Sequence, residues 1–397
     1  MKLFSIVLAS ICFYTFQLRA QFTCNWKFKA KSAIYSSATT DSQNVYFGCS
    51  DSIFYALNKL SGEEAWRYQT LGSIKSKPCI FKDLIIFNNT EGKIFALNKD
   101  SGKLVWLYKT KGEKRYDMWD YYLSSPVTHN GQVFIGSGDS CIYSLNATTG
   151  NLNWKFKTLG IVHASAVING NSLFIGGFDG YFYALNCQTG KLIWKFDTVG
   201  DRYFPKGEVQ TAAAIYKNTV IFGSRDYNIY SLDINTGNGV WNMKERGSWV
   251  IATPFVHDEN IYLGTSDSHK FYCLSAEDGE IRWTLPLNMR VYGTAASHNS
   301  SIIFGCFNGK TYSVNSQSGK VESVFQTDES KLHYPAIYNR EDHFKEGFEL
   351  YGKNPEQSEK TILGLGAFVA SPLIEKGTLY CGDTNGYFYS IKCGTSN

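Results

Sequence analysis

Residues 182–198 read FYALNCQTGKLIWKFDT, and this phrase decides the fold because the chain repeats it. Its first part is an apolar run of the kind that forms a buried strand. The Asn-x-x-Thr-Gly that follows is typical of a hairpin connection, since Asn can bond the local backbone and Gly can take a left-handed conformation. The last part is a second strand with a Trp four positions beyond the Gly. The phrase therefore predicts a two-stranded unit that carries one large aromatic residue.

Six other stretches copy this phrase. They are FYALNKLSGEEAWRYQT from Phe54, IFALNKDSGKLVWLYKT from Ile94, IYSLNATTGNLNWKFKT from Ile142, IYSLDINTGNGVWNMKE from Ile229, FYCLSAEDGEIRWTLPL from Phe271 and TYSVNSQSGKVESVFQT from Thr311. The equivalent aromatic positions lie 40, 48, 40, 47, 42 and 40 residues apart. Repeats of this length are typical of the four-stranded blades of a β-propeller.

The two ends of the chain make up an eighth copy. The stretch from Phe388 to Lys392 begins the phrase, and Cys24 to Lys29 supplies its missing Trp half. We therefore predict an all-β protein, an eight-bladed β-propeller of four-stranded antiparallel blades. The C-terminal and N-terminal strands would pair within the last blade, which would close the ring and leave no open sheet edge.

The repeated Trp is expected to pack between neighbouring blades. A periodic aromatic residue at one position of every repeat indicates core architecture before ligand binding. Ser323 stands at this position in the seventh copy. The predicted structural Trp residues are Trp26, Trp66, Trp106, Trp154, Trp194, Trp241 and Trp283.

The composition excludes several classes of protein. Of the 397 residues, 16% are aromatic and only 19% are charged, which excludes a disordered chain. The net charge of +4 arises from 39 basic and 35 acidic residues without a basic block, so we expect no nucleic-acid partner.

The N-terminus resembles a secretory signal peptide. Residues 1–20 begin Met-Lys, continue with an apolar run from Leu3 to Phe16 and end in Leu-Arg-Ala. That run is shorter than the roughly 20 residues needed to span a bilayer, and Phe22-Thr23-Cys24 is unlike a lipoprotein cleavage site. We therefore predict an exported chain in which residues 21–397 form one monomeric propeller without a transmembrane span, in the periplasm, at the outer-membrane periphery or secreted.

The repeat resembles the tryptophan-docking repeat of the pyrroloquinoline-quinone-like β-propellers, and the likeness covers nearly all of residues 21–397. Its clearest copy here runs from Ala184 to Trp194. One branch of the family contains quinone-dependent dehydrogenases with a vicinal Cys-Cys disulfide at the cofactor. This chain has no adjacent cysteines and no Cys-x-x-Cys-His haem motif. Asp139 and Asp226 could act there as base or calcium ligand, but both lie at a repeated turn position where geometry explains an Asp.

The resemblance is nearer to the noncatalytic, BamB-like branch. It implies a protein-binding scaffold of the cell envelope, with outer-membrane assembly factors as partners and no cofactor. Two alternatives remain open: a dehydrogenase that uses pyrroloquinoline quinone and calcium, and a propeller that binds a small ligand or glycan.

The connections between blades contain the extra residues of the chain and are candidates for partner binding. Aromatic and Arg side chains on one rim are typical of interface hot spots. The alternative is that they fill the central channel or cover strand ends. The candidates are Arg115, Tyr116, Trp119, Tyr121, Arg202, Tyr203, Phe204, Trp249, Arg290 and Tyr292, with Tyr122 beside them.

A longer insertion, at about residues 328–360, interrupts the last two repeats. We expect it to contact a partner or to cover the channel. It contains a His343-x-x-Glu346 pair, but two ligands without a third do not make a zinc site, so we predict no metal.

Nine cysteines follow residue 20. Cys24 and Cys393 are expected to face each other where the ring closes, so we predict a disulfide between them, which an exported protein would permit. The others lie mostly within strands and are expected to be buried. His163 opens a predicted inner strand without partners for a catalytic triad.

Overall fold

The computed structural model describes residues 22–394, so the predicted signal peptide at residues 1–20 lies outside the described part of the chain. The described residues form eight four-stranded antiparallel sheets arranged as the blades of a propeller, which confirms the predicted fold. Two helices occur within this described part; the first lies in the predicted insertion at about residues 328–360, and the second begins there and ends at Leu363. No helix within residues 22–394 is long and apolar enough to cross a bilayer.

Each blade has a short inner strand and three longer ones. In blades 1 to 4 the strands are Thr39–Thr40, Asn44–Gly48, Ile53–Asn58 and Glu64–Gln69; Cys79–Phe81, Leu84–Asn88, Lys93–Asn98 and Leu104–Lys109; Val127–His129, Gln132–Ser137, Cys141–Asn146 and Leu152–Lys157; and Val167–Asn169, Ser172–Gly176, Tyr181–Asn186 and Leu192–Asp197. In blades 5 to 7 they are Ala214–Tyr216, Thr219–Gly223, Asn228–Asp233 and Gly239–Lys244; Phe255–His257, Asn260–Gly264, Lys270–Ser275 and Ile281–Pro286; and Ala296–His298, Ser301–Gly305, Lys310–Asn315 and Val321–Gln326. Blade 8 consists of Leu373–Glu375, Thr378–Gly382, Tyr387–Lys392 and Thr23–Lys29.

The eighth blade closes the ring in the predicted way. Its fourth strand comes from the N-terminus and pairs with the C-terminal strand, so that Lys27 faces Tyr389 and Lys29 faces Tyr387. This pairing satisfies the backbone groups that an open ring would leave at a sheet edge.

The residues before each inner strand bond to the preceding blade. The backbone N–H of Val162 donates to the carbonyl of Ser137 at 3.1 Å, and that of Val209 donates to Gly177 at 3.0 Å. For this reason the inner strand of blade 4 begins at Val167, and the prediction that His163 opens it is wrong.

The seven repeated Trp residues join neighbouring blades. Each indole N–H donates to a backbone carbonyl in the next blade at 2.8 to 3.3 Å; the acceptors, in chain order, are Lys59, Lys99, Ala147, Cys187, Ile234, Ala276 and Ser316. A Gly lies against each ring. At Gly190, which has a φ of +66°, an added Cβ would lie 2.6 Å from the Trp154 ring. Close approach and positive φ together explain why the repeat uses Gly here.

The contact between blades 7 and 8 is built differently. Ser323 replaces the Trp, and its hydroxyl accepts the backbone N–H of Phe22 at 3.4 Å. The Phe22 side chain packs in a buried cluster with Ile303 of blade 7 and Leu379 of blade 8. An apolar side chain from the N-terminal segment therefore fills this junction.

The predicted disulfide between Cys24 and Cys393 is wrong for this structure, in which both thiols are free. Cys24 faces Ile391, because a bulge between Cys24 and Trp26 shifts the register. Cys393, two residues beyond Ile391, is therefore a diagonal neighbour of Cys24, and the Cα atoms of diagonal neighbours in a sheet are about 7–8 Å apart. That exceeds the roughly 4.4–6.8 Å between the Cα atoms of bridged cysteines. Cys24 is also exposed, whereas Cys393 is buried.

The repeated Asp residues have a structural role in the turns between second and third strands. The Asp139 carboxylate accepts the Tyr143 hydroxyl at 2.6 Å, and Asp226 accepts that of Tyr230 at the same distance. The same pair recurs as Asp51–Tyr55 and Asp179–Tyr183. This geometry explains the Asp at these positions.

Candidate functional site: the plugged face of the ring

One face of the propeller carries the connections between blades. Two long segments on this face pack over the axis, residues 111–122 and 327–365, and we call them the plug. The two helices of the plug are α1 (Asp328–Ile337) and α2 (Pro355–Leu363). The Thr327 hydroxyl caps α1 by accepting the N–H of Ser330, and the Asn354 side chain caps α2 by accepting that of Gln357.

The plug brings together most of the aromatic residues that the sequence analysis selected. Trp119 packs edge-on against Trp249 with the ring centroids 5.5 Å apart, and Phe204 packs against the same Trp249 at 4.9 Å. Tyr121 contacts Tyr292 at 6.3 Å. These rings belong to one buried cluster with the apolar residues of the insertion, such as Ile337, Ile362 and Leu365. The insertion is thus packed into the largest apolar cluster of the ring.

A buried ion pair fixes α2 to the ring. The Arg290 guanidinium, which is fully buried, donates to the Glu359 carboxylate at 2.7 Å and to the Tyr351 hydroxyl at 2.9 Å. The Tyr121 hydroxyl donates to the same carboxylate. Burial and the neighbouring Glu359 carboxylate raise the pKa of Tyr121 far above its usual value, so this phenol stays protonated. Both segments of the plug therefore meet at Glu359.

A second buried cation, Arg225, holds residues 111–122. Its guanidinium lies 4.4 Å from the centre of the Trp249 ring and 5.3 Å from that of Tyr116. It also donates to the Asp117 carboxylate and, at 2.8 Å, to the Gln210 side chain. Cation–π contacts are strongest where the cation is desolvated, as it is here.

His163 is the third buried cation under the plug. Its Nδ1 lies 2.9 Å from Asp120 and its Nε2 lies 3.1 Å from Glu113, both in residues 111–122. Burial lowers the pKa of the imidazole, but hydrogen bonds to Asp120 and Glu113 outweigh it and raise the pKa to about 9. At neutral pH a charged imidazolium therefore bridges two carboxylates.

Of the ten predicted partner contacts, four are inaccessible. Tyr121, Trp249, Arg290 and Tyr292 are buried, which corrects their assignment to a binding surface and favours the alternative that such residues fill the channel. Trp119 and Phe204 are partly buried. Arg115, Tyr116, Arg202 and Tyr203 are exposed on the plugged face, with Tyr203 71% accessible.

The exposed part of this face also carries apolar side chains. Leu71, Leu159 and Val199 each follow the fourth strand of a blade and are 80%, 81% and 72% accessible. Leu332 and Tyr351 of the plug add to them. Within residues 22–394, no group of three or more His, Cys, Asp or Glu side chains is placed to hold a metal ion.

Sequence reasoning missed the charged residues that hold the plug, among them Glu113, Asp120, Arg225 and Glu359. A position-by-position comparison of the copies could have found Arg225, because the same turn position is Ser50 in blade 1 and Gly138 in blade 3. The acidic residues lie in segments without repeats, where no equivalent position exists for comparison.

The axis of the ring contains a cavity of about 570 Å³. Its wall runs from Tyr35, Tyr122 and Tyr292 at the plug to Thr40 and Thr128 at the other end of the inner strands. All eight blades contribute to it. The plug closes one end, so the cavity is a blind channel.

Comparisons with known proteins agree with this architecture. The profile of a family described as outer membrane protein assembly factor BamB matches residues 23–196, 117–247 and 179–332. No curated protein matched the chain. BamB from Moraxella catarrhalis is similar in structure, with a TM-score of 0.69 and 15% identity over 94% of this chain and 97% of that one.

Other propellers are similar to a comparable degree. The quinohemoprotein alcohol dehydrogenase ADHIIG from Pseudomonas putida HK5 has a TM-score of 0.71 and 12% identity over 95% of this chain and 77% of that one. The computationally designed Ika8 protein has a TM-score of 0.68 and 14% identity over 92% of this chain and 97% of that one. At these identities the structural likeness shows the fold alone. The family match covers most of the chain, and the chain therefore belongs to the BamB family of pyrroloquinoline-quinone-like repeat propellers.

Proposed function

We propose that this chain is a noncatalytic scaffold of the cell envelope that binds outer-membrane assembly factors through its plugged face. The observation that carries the proposal is that the most accessible large apolar and aromatic side chains lie mostly on that face. Of the six that are at least 70% accessible within residues 22–394, all but Leu60 lie there, with Leu71 and Tyr203 as examples. Exposed aromatic and Arg residues around an apolar patch are typical of protein interfaces. Buried ion pairs hold the plug against the ring, and a face fixed in this way loses less entropy on binding.

The axial cavity gives less support to the dehydrogenase alternative. Its lining residues include no Asp or Glu. Calcium prefers carboxylate and carbonyl oxygens in sixfold to eightfold coordination. The wall of the cavity therefore does not fit the calcium that accompanies the quinone in the dehydrogenases. The purified chain mixed with pyrroloquinoline quinone and calcium should oxidise no alcohol, and calcium-dependent oxidation of an alcohol would favour the enzyme.

Site-specific crosslinking in the native envelope tests the scaffold. A photoreactive amino acid would replace Leu71 or Tyr203 on the plugged face, and Leu60 as the control. Leu60 is 91% accessible but lies in the hairpin between the third and fourth strands of blade 1, on the opposite side. We expect an outer-membrane barrel or its assembly factors to be recovered from positions 71 and 203 but not from 60. Recovery of none of them, or equal recovery from position 60, would contradict the proposal.

A further inference from the structure

The axial cavity is lined by side chains that occupy equivalent positions in the eight blades. One of these equivalent positions forms a ring of eight side chains around the cavity. Blade 5 has Ala212 there and blade 2 has Lys77. The other six blades have Ser or Thr: Ser37, Ser125, Ser165, Thr253, Thr294 and Ser371. Two residues earlier blade 2 has a second lysine, Lys75, which also lines the cavity. Blade 2 thus departs from the repeat by placing two cations at the axis.

The hydroxyl groups of this ring are oriented by the backbone. The Ser125 hydroxyl accepts the N–H of Lys77 at 3.0 Å, and the Ser165 hydroxyl accepts that of Ser125 at 2.8 Å. On the other side of the ring, Ser371 and Ser37 each accept an N–H from the preceding blade at 2.9 Å. A hydroxyl that accepts from the backbone keeps its own O–H as a donor. These groups therefore present hydrogen-bond donors to the cavity.

The two ammonium groups have no anionic partner of their own. Within residues 22–394 neither forms an ion pair, and the lining includes no carboxylate. The acidic residue near Lys75 is Asp120, which is already bound to His163. Desolvation lowers the pKa of both lysines, and the positive charge of Arg115 lowers that of Lys75 further. Lys75 is partly buried and Lys77 is exposed to solvent. A bound anion would relieve this uncompensated charge.

We propose that the axial cavity binds a small organic anion, whose carboxylate or phosphate group lies between the ammonium groups of Lys75 and Lys77. Charged donors form the stronger hydrogen bonds to such groups, and the serine hydroxyls supply further donors. A volume of about 570 Å³ lies in the usual range for small-molecule sites. The tyrosines at the plug end, Tyr35 and Tyr122, give the deepest part an aromatic wall. This site is separate from the exposed rim of the plugged face and does not depend on the scaffold role.

Calorimetry with the purified chain tests the site, with citrate and glucose 6-phosphate as probes and glucose as the neutral control. We expect at least one anion to bind and glucose not to bind. Binding by citrate alone would indicate a carboxylate ligand, and binding by glucose 6-phosphate alone a phosphate ligand. In the K75M/K77M variant affinity should fall by a factor between roughly ten and one hundred, since the variant loses two charged contacts and each is worth about tenfold. The K103M/K109M variant removes the same charge from the exposed outer part of blade 2 and should bind as the native chain does.

Lysine acetylation followed by mass spectrometry needs no variant and covers the case in which K75M/K77M does not fold. A saturating anion should protect Lys75 and Lys77 of the native chain from acetylation but leave Lys103 and Lys109 reactive. The proposal would be overturned if no anion bound, if glucose bound equally well, if K103M/K109M lost affinity to the same extent, or if protection did not include the two cavity lysines.

Discussion

The indole N–H of Trp154 in blade 3 donates to the carbonyl of Cys187 in blade 4 at 2.8 Å, and the same bond recurs between other blades around the ring. It joins the outer strand of one blade to the hairpin of the next, while the ring itself packs against the hairpin Gly. The contacts between blades are therefore fixed at the Trp position of the repeat, which every blade except blade 7 fills with Trp.

Trp154→Phe should lower the free energy of unfolding by about 1–3 kcal/mol. The change removes one interblade hydrogen bond and part of a buried ring. Urea denaturation measures the difference. Leu159→Ala is the control, because Leu159 is exposed and its loss should cost less than about 0.5 kcal/mol. Equal effects of the two substitutions would argue against a structural role for the Trp bond.

Gly190→Ala should be more destabilising than Gly131→Ala, although both glycines have positive φ. An added Cβ at Gly190 would lie 2.6 Å from the Trp154 ring, whereas at Gly131 it would meet nothing within 4 Å. Backbone strain of about 1–2 kcal/mol is common to both, so the difference isolates the steric clash. We expect at least about 1 kcal/mol between them in thermal or urea unfolding. Equal losses would mean that strain alone requires Gly at position 190.

The stability provided by His163 should depend on pH. Its pKa is about 9 in the folded protein and 6.5 in the unfolded chain, so its contribution is complete below pH 6.5 and is lost as the pH rises through about 9. A difference of that size corresponds to at most about 3 kcal/mol. The stability difference between the native chain and His163→Gln, measured from pH 6 to 10, should therefore shrink with increasing pH. The same difference for the exposed His343→Gln should stay constant, and a constant difference for His163 would refute the ionic bridge.

Glu359→Gln should loosen the plug. The substitution leaves the buried Arg290 guanidinium without its carboxylate, and loss of one partner of a buried ion pair costs about 3–5 kcal/mol. Glu356→Gln removes the same charge from an exposed position in α2 and should have little effect. Hydrogen exchange would show the loss as faster exchange in α2 and in residues 111–122. Unchanged exchange in Glu359→Gln would show that the plug is held by apolar packing alone.

The sequence alone predicted the blades, their number and the closure of the ring. Each four-stranded blade has a Trp and a Gly at fixed positions, so the pattern recurs in the sequence about every 40 residues. The stretch from Cys24 to Lys29 contains only the Trp half of this pattern, and the C-terminus supplies the other half. It did not predict the register at the closure, because the bulge beside Cys24 depends on local pairing and not on the repeat. The selection of Trp119, Tyr203 and Trp249 chose residues that lie on one face, but it did not separate exposed from buried residues.

Only the tertiary structure decided what that face contains. His163, Arg225 and Arg290 belong to different blades, and their partners Glu113, Asp117 and Glu359 lie in segments that no repeat describes. Periodicity records contacts that every blade makes with its neighbour, so it determines the ring. The plug arises from residues that occur once and meet across the axis, so its contacts follow only when the ring has closed. The two lysines of blade 2 depart from the repeat, and the closed ring places them in the wall of the axial cavity.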